Sequence, residues 1–330
     1  MKTPALLRMT APLREGFDIP YHDMGPRDEQ PAVAFVAGVH GDEVNGVFVL
    51  SRLASFLTRV TAGQQPGYQL RRRVIIVPAV NVLGINLRSR RWPFDGTDIN
   101  RMFPGYDAGE TTQRIAHAVL EVTRPAHYRV DIHSSNLDFE ELPQVRLYAP
   151  SGAERAAARH FGLAAVIERP MNKIFTSTLG HAWRECGGEN FVIQVGQASV
   201  LQPGHCERLF RALVGFLVRT DTLGGTPLAE EEEDVHYFGI SQTLPVISGH
   251  AGLFVSPLRV GRWLQAGELI GQVYDGFNGE LHVEIQTPVA GLLSGIRRQP
   301  LLFEGDLIAR IQSQHPVGES VDTYLRGQGQ

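Results

Sequence analysis

The stretch Ala32-Val33-Ala34-Phe35-Val36-Ala37-Gly38-Val39-His40-Gly41-Asp42-Glu43 decides how this chain is read. An unbroken apolar run suits a strand buried on both faces. Gly38 and Gly41 then let the backbone turn closely. The spacing that follows predicts a helix from Val44 to Leu57, with Val47, Leu50, Leu53 and Ala54 as its apolar stripe. His40 and Glu43 thus fall on a tight strand-to-helix turn, where both can approach one ion. A second apolar run, Tyr128-Arg129-Val130-Asp131-Ile132, ends in His133-Ser134-Ser135. Imidazole, carboxylate and imidazole form a ligand set suited to zinc with a fourth position open, whereas a structural zinc site is normally closed by a fourth protein ligand. The plainer reading makes His40 a loop histidine and Glu43 a first-turn acid favoured by the helix dipole.

Working outward, strands and helices alternate up to about Gly225. Strands are predicted at Ala32–Ala37, Arg73–Pro78, Tyr128–Ile132, Val145–Ala149 and Phe191–Val195. Helices are predicted at Val44–Leu57, Thr111–Val122, Glu154–Phe161, Ser177–Glu185 and His205–Thr220. Such alternation argues an α/β domain with a mainly parallel or mixed sheet, which places ligands at carboxyl ends of strands. Residues 226–235, with Pro227 and the acidic run Glu230–Asp234, read as a linker. Residues 236–330 read as a small all-β domain with a short disordered tail. Its strands, Leu253–Val255, Glu268–Tyr274, Leu281–Gln286 and Leu307–Ile311, are punctuated by glycines that include Gly291 and Gly295.

A third segment narrows the reading: Ser89-Arg90-Arg91-Trp92-Pro93-Phe94-Asp95-Gly96-Thr97-Asp98-Ile99-Asn100-Arg101-Met102-Phe103-Pro104-Gly105. With Gly38–Glu43 before it and Asp131–Ser134 after it, the chain resembles the succinylglutamate desuccinylase/aspartoacylase family of zinc carboxypeptidase-like hydrolases. That family's pattern is GxHGxE, DxNRxFPG and DxHS, in that order, and the resemblance runs from about Pro31 to Ile311. It implies a zinc-carboxypeptidase-like mixed-sheet domain. It also implies zinc as cofactor, held by His40, Glu43 and His133. Asn100 and Arg101 would hold a substrate carboxylate, a sensible use of a guanidinium fork; a weak surface ion pair to Asp98 is the plain alternative for Arg101. Arg90 would steady the oxyanion, with Arg91 competing because the register across Trp92-Pro93 is open by one residue. The C-terminal half resembles a barrel-sandwich hybrid, which the family also carries. It has no lysine for a hairpin tip, which excludes covalent cofactor carriage and leaves a wall or lid over the site, or a structural or oligomer-forming role. Tyr274 and Tyr237 are the tyrosines there that could reach the cleft.

The chain departs from the family at one position. The family places a catalytic glutamate in a strand ending ExG, and here that strand reads Phe191-Val192-Ile193-Gln194-Val195-Gly196. An amide can orient a water but cannot take its proton near neutral pH. Three readings stand open. Glu189, Glu140 or Glu141 serves instead; zinc alone activates the water; or the protein binds a carboxylate ligand without cleaving it.

Composition fits these expectations. The chain has 330 residues, room for two domains, and 43% hydrophobic residues, ordinary for a globular enzyme. A net charge of −4 gives no general attraction to nucleic acid or acidic membranes, so neither is expected as a partner. Nearly all positive charge is arginine; Lys2 and Lys173 are the only lysines. Cys186 and Cys206 lie in no metal-spaced motif and read as reduced thiols of a cytoplasmic protein. Met1 to Arg14 offers no signal-peptide core. His117, His127, His160, His181 and His205 lack partners at metal spacing and read as satisfied surface histidines. The expected function is zinc-dependent hydrolysis of an amide next to a free carboxylate, chiefly deacylation of an N-acyl amino acid. A metallocarboxypeptidase, an esterase on a related carboxylate, and a non-catalytic carboxylate binder are the alternatives. The expected partner is a small-molecule carboxylate, and a homo-oligomer is compatible with the sequence.

Overall fold

The computed structural model describes residues 4–13, 16–27, 30–172, 176–228 and 235–317. Its centre is a mixed sheet, twelve-stranded among the described residues. In chain order the strands are His22–Met24 (β1), Val33–Ala37 (β2), Val74–Val77 (β3), Tyr128–His133 (β4), Phe139–Tyr148 (β5), Ala165–Arg169 (β6), Glu189–Gly196 (β7), His236–Phe238 (β8), Thr243–Ile247 (β9), Trp263–Leu264 (β10), Gly291–Arg297 (β11) and Leu307–Gln312 (β12). The main path runs β9-β12-β11-β5-β7-β4-β2-β3-β1, with β6 branching from β5, β8 pairing with β6, and β10 pairing with β11. β7, β4, β2 and β3 are parallel, and β5 runs against β7. The helices are Val44–Thr61 (α1), Val82–Leu87 (α2), Thr111–Thr123 (α3), Gly152–Ala158 (α4), Leu179–Arg184 (α5) and Pro203–Arg219 (α6).

The unbroken apolar run of β2 has a direct cause. Val33, Phe35 and Ala37 pack into a core with residues of α1 and α6, while Ala34 and Val36 pack into a second core with residues of α3 and α5. Both faces are covered, so no polar alternation survives. α1 presents Leu50, Leu53 and Ala54 of the expected stripe to the first core, with Val49 in place of the expected Val47, and continues to Thr61. α6 begins with Pro203 in its first turn, where a missing N–H costs nothing.

Several elements differ from expectation. β5 starts at Phe139, six residues before the predicted Val145. Glu140, Glu141 and Gln144 hide it from a hydrophobicity reading, although all three are buried. β6 and the short α2 were not expected, and α5 begins at Leu179 because Thr178 caps it. Gly291 and Gly295 were expected in turns and lie inside β11. A Cβ on Gly295 would stand 2.3 Å from the Phe139 ring, and one on Gly291 would stand 2.4 Å from the Gln312 carbonyl oxygen. Glycine here permits close strand approach.

β9, β11 and β12 extend the main sheet, and a further four-stranded sheet joins Leu281–Gln286, Leu269–Tyr274, Gly252–Val255 and Leu301–Leu302. The core of this half includes Leu142 of β5 and Ala165 and Ile167 of β6. The run Glu230–Asp234, both lysines and the tail from 318 lie outside the described residues. No described helix is long and apolar enough to cross a membrane.

Candidate active site

The parallel pairing of β2 with β4 sets Ala37 beside Ile132, so the loop after β2 and the end of β4 emerge together. His40, Glu43 and His133 meet there, each buried, with potential ligand atoms within 4.8 Å of one another. Glu43 spans both imidazoles: Oε1 lies 2.8 Å from His40 Nδ1 and Oε2 lies 2.9 Å from His133 Nδ1. The Ser134 N–H also donates to Glu43 Oε2 at 3.0 Å. Burial alone would raise the Glu43 carboxyl, but the flanking histidines hold it well below the ordinary carboxylate range.

A carboxylate backs each imidazole. Asp131 Oδ2 is 2.8 Å from His133 Nε2, and Asp98 Oδ1 is 3.2 Å from His40 Nε2. Burial disfavours charged His133, yet Asp131 and Glu43 raise it well above the usual imidazole value. Burial likewise opposes charge on His40 and on Asp98; Glu43 first and then Asp98 raise the imidazole, and His40 brings the Asp98 carboxyl down to about 2. These contacts turn the Nδ1 atoms of both rings toward Glu43. His40 Nδ1 is buried and makes no hydrogen bond despite its 2.8 Å approach to Glu43. A buried polar atom aimed at an acid without bonding it is what a metal between the three groups would satisfy, and the donor set fits one. Asp131→Ala should weaken metal affinity by about 10- to 100-fold, the usual effect of losing a carboxylate behind a ligating histidine. Chelator competition measures this; unchanged affinity would remove Asp131 from the site.

Arg90 reaches the cluster because the loop around Gly41 is pressed against the chain preceding it. A Cβ on Gly41 would lie 2.4 Å from the Ser89 carbonyl oxygen, and the Gly41 N–H donates to the Arg90 carbonyl at 3.2 Å. Arg90 Nη1 donates to Glu43 Oε1 at 2.8 Å. Arg91 turns away toward the Gly96 carbonyl at 3.4 Å, so of the two arginines Arg90 is the one that contacts the cluster. Asn100 Oδ1 accepts from the Leu179 N–H at 3.0 Å, which leaves its amide N–H groups for other partners. Arg101 donates to the Asn100 carbonyl at 2.9 Å, and its distance to Asp98 is 4.0 Å.

Gln194 stands opposite His133 in one register and opposite Gln144 in the other. Its Nε2 donates to the Ser134 carbonyl at 2.5 Å, leaving Oε1 outside that bond. Gln144 is fully buried, and neither of its amide atoms has a hydrogen-bond partner. None of the three substitute glutamates lines the cavity of the cluster, although Glu141 lines a neighbouring groove with Arg90 and Gln194. Glu189 begins β7, roughly 16 Å along the strand from Gln194, and pairs with His127 at 2.6 Å. Glu140 is held by His205 at 2.7 Å and Arg298 at 2.5 Å. Glu141 is clasped by Arg146 at 2.5 Å and also by Arg310. Neither tyrosine expected near the cleft arrives: Tyr274 donates to Gln272 at 2.8 Å, and Tyr237 bonds Glu168.

His40, Glu43, His133, Arg90, Asn100, Arg101 and Gln194 line one cavity of about 180 Å³. Arg146, Tyr148 and Arg184 also line it and were not singled out from sequence, and so does His181, which was read as a surface histidine. Asp131, two residues before His133 and so on the same strand face, was the legible one among the missed residues. The C-terminal half reaches a neighbouring groove through Arg310, beside Arg90, Arg146 and Gln194.

Residues 29–218 match the succinylglutamate desuccinylase/aspartoacylase catalytic domain. An N-alpha-acetyl-L-2,4-diaminobutyric acid deacetylase of Halomonas elongata is 28% identical, over 86% of this chain and 83% of its own length. A succinylglutamate desuccinylase of Pseudomonas aeruginosa is 26% identical over 58% of this chain and 59% of its own. In fold, the chain is similar to a succinylglutamate desuccinylase/aspartoacylase from Rhodobacter sphaeroides, with TM-score 0.74 and 22% identity over 93% of this chain and 94% of that one. It is similar in the same way to the product-bound ectoine utilization protein from Ruegeria pomeroyi, with TM-score 0.74 and 22% identity over 93% of each chain. The mixed α/β fold with its large mixed sheet is thus shared with these structures.

Proposed function

Because this chain belongs to the succinylglutamate desuccinylase/aspartoacylase family, we propose that it is a zinc-dependent hydrolase that removes the acyl group from an N-acyl amino acid. The observation that carries the reading is the convergence of His40, Glu43 and His133 with Arg90, Asn100 and Arg101 on one small cavity. Two of its relatives are named for N-acylated amino acids, and an arginine-rich cavity suits a substrate that keeps a free carboxylate. We assign His40, Glu43 and His133 as metal ligands and zinc as the metal, since mixed imidazole and carboxylate donors with an open position suit it. We also take residues 1–225 as a zinc-carboxypeptidase-like catalytic domain, 226–235 as a linker, and 236–330 as a barrel-sandwich-type domain that walls the neighbouring groove.

When bound, zinc supplies a Lewis acid that polarises the scissile carbonyl and acidifies the attacking water. Arg101 and the free Asn100 amide hold the substrate carboxylate, fixing the amide bond relative to the cluster. Arg90, whose guanidinium already reaches Glu43, offers an N–H to the oxygen on which negative charge develops. Gln194, pinned through Nε2, presents Oε1 to orient a water.

The direct test is turnover of a panel of N-acyl amino acids by metal-depleted and zinc-reconstituted protein. Deacylation that appears only with metal is expected; a reconstituted protein inert on the whole panel would overturn the reading. Arg101→Lys should raise KM by about 10- to 100-fold, because a point charge replaces a bidentate fork and a charged hydrogen bond is worth ~1.5–3 kcal/mol. Methylating the substrate carboxylate should cost the wild type a similar factor. Indifference of the wild type to that ester would remove the clamp assignment.

A further inference from the structure

Hydrolysis of an amide needs a group that takes a proton from water and returns one to the leaving nitrogen. Gln194 cannot do this, and Glu140, Glu141 and Glu189 are held in other ion pairs. Among the described residues lining the cavity, Glu43, His40 and His133 form the cluster, and Asp131 is bonded to His133. Arginines remain charged throughout and accept nothing, and the Tyr148 hydroxyl is hydrogen-bonded to Arg146. His181 is what remains: an imidazole on the cavity wall, the side chain type suited to shuttling a proton near neutral pH. We propose that His181 is the proton acceptor and donor of this site, in place of a carboxylate at position 194. The proposal rests on the hydrolase reading above.

Its placement is well determined. The Thr178 hydroxyl oxygen accepts from the His181 N–H at 3.3 Å, and Asn100 accepts from Leu179 at 3.0 Å, so the proposed substrate clamp and α5 share a hydrogen bond. Gly180 approaches β7 closely enough that a Cβ there would meet Val192 at 3.7 Å. Val192 lies two residues before Gln194 on the same face of β7, roughly 7 Å along the strand. His181 thus lines the same cavity as Asn100, Arg101 and Gln194. Its Nδ1 is buried and has no hydrogen-bond partner. A buried ring nitrogen without a partner is desolvated with nothing to offset it, so a hydrogen bond from a water or a substrate group would be favoured there. The charged and titratable groups sharing the cavity with it among the described residues are Arg90 and Arg101 from the loop, Arg146 and Tyr148 from β5, Arg184 from its own helix, and the cluster with Asp131.

In the proposed step, the water oxygen bonds to the acyl carbon as its proton passes to the free imidazole nitrogen. The imidazolium then gives that proton to the amide nitrogen as the C–N bond breaks. Water is consumed, an acid and an amine leave, and His181 ends as it began.

The experiment compares zinc-loaded wild type, His181→Gln, Gln194→Glu and the double variant on the N-acyl amino acid panel across pH. His181→Gln should lower kcat by about 10²- to 10⁴-fold with little change in KM, and should remove the acidic limb of the kcat/KM profile. Adding Gln194→Glu to that variant should restore at least ~10²-fold, because a carboxylate then stands where the amide was. A purely structural role would give neither the lost limb nor the rescue. Without turnover, the His181 ring-proton NMR signal, assigned by its absence from His181→Gln, should move when N-acetyl-L-glutamate is added to metal-free protein; an unmoved signal overturns the placement. Wild-type turnover that His181→Gln leaves within about threefold, with the same acidic limb, overturns His181 alone. A zinc-loaded wild type inert on every substrate overturns the hydrolase reading and His181 with it.

Discussion

Glu43→Gln is expected to empty the metal site and to lower kcat/KM by at least ~10³-fold, since a catalytic metal contributes several kcal/mol of transition-state stabilisation. Among the described residues the carboxylate is the only acid that touches both cluster histidines, and it accepts the Ser134 N–H as well. An amide of equal size retains the shape and removes the charge. A divalent ion would then sit in a buried pocket faced by neutral imidazoles, without the anion that offsets its desolvation. Elemental analysis of purified protein should find wild type near one metal per chain and the variant near none. His133→Ala should behave alike. Full metal content in either variant would show that the ligand set is wrong.

Arg90→Ala should lower kcat by about 10²- to 10³-fold, the cost of losing one oxyanion donor, while leaving metal content unchanged. The two readouts separate because Arg90 contacts Glu43 from outside the cluster, with its side chain 45% exposed. Removing a cation beside the cluster does not weaken the hold of the cluster on a second cation. Arg90→Lys should recover only part of the rate, because an ammonium keeps the charge without the planar fork. Loss of metal together with activity would recast Arg90 as a support of the cluster, and an unchanged kcat would remove it from the mechanism.

Much of this arrangement is legible in the sequence. A continuous apolar run with a glycine turn marks β2 as a strand covered on both faces, and its last residues put His40 and Glu43 at its carboxyl end. The same logic applies to β4 and His133. Burial periodicity is a local property, so these elements and the faces they hide can be read from neighbouring residues. The motif around Asn100 and Arg101 was likewise readable, and the structure brings all of these residues to one cavity.

What the sequence leaves open is which distant groups meet. Glu140 and Glu141 stood as candidate bases until the fold brought His205, Arg298 and Arg310 against them, and Arg298 lies 158 residues from its partner. β5 looked too polar to be a long strand for a related reason, since most partners of its acids, His205, Arg298 and Arg310, come from elements far along the chain. Gly291 and Gly295 read as turns because the Gln312 backbone and the Phe139 ring that require their small size belong to other strands. His181 read as a surface histidine, and α5 placed it on the wall of the active cavity through a cap from Thr178 and a hydrogen bond to Asn100. The pattern of apolar residues settles which surfaces are buried. Only the packed structure settles which charges and hydrogen-bonding groups remain uncompensated, because that balance is a sum over neighbours that the chain brings together from everywhere along its length.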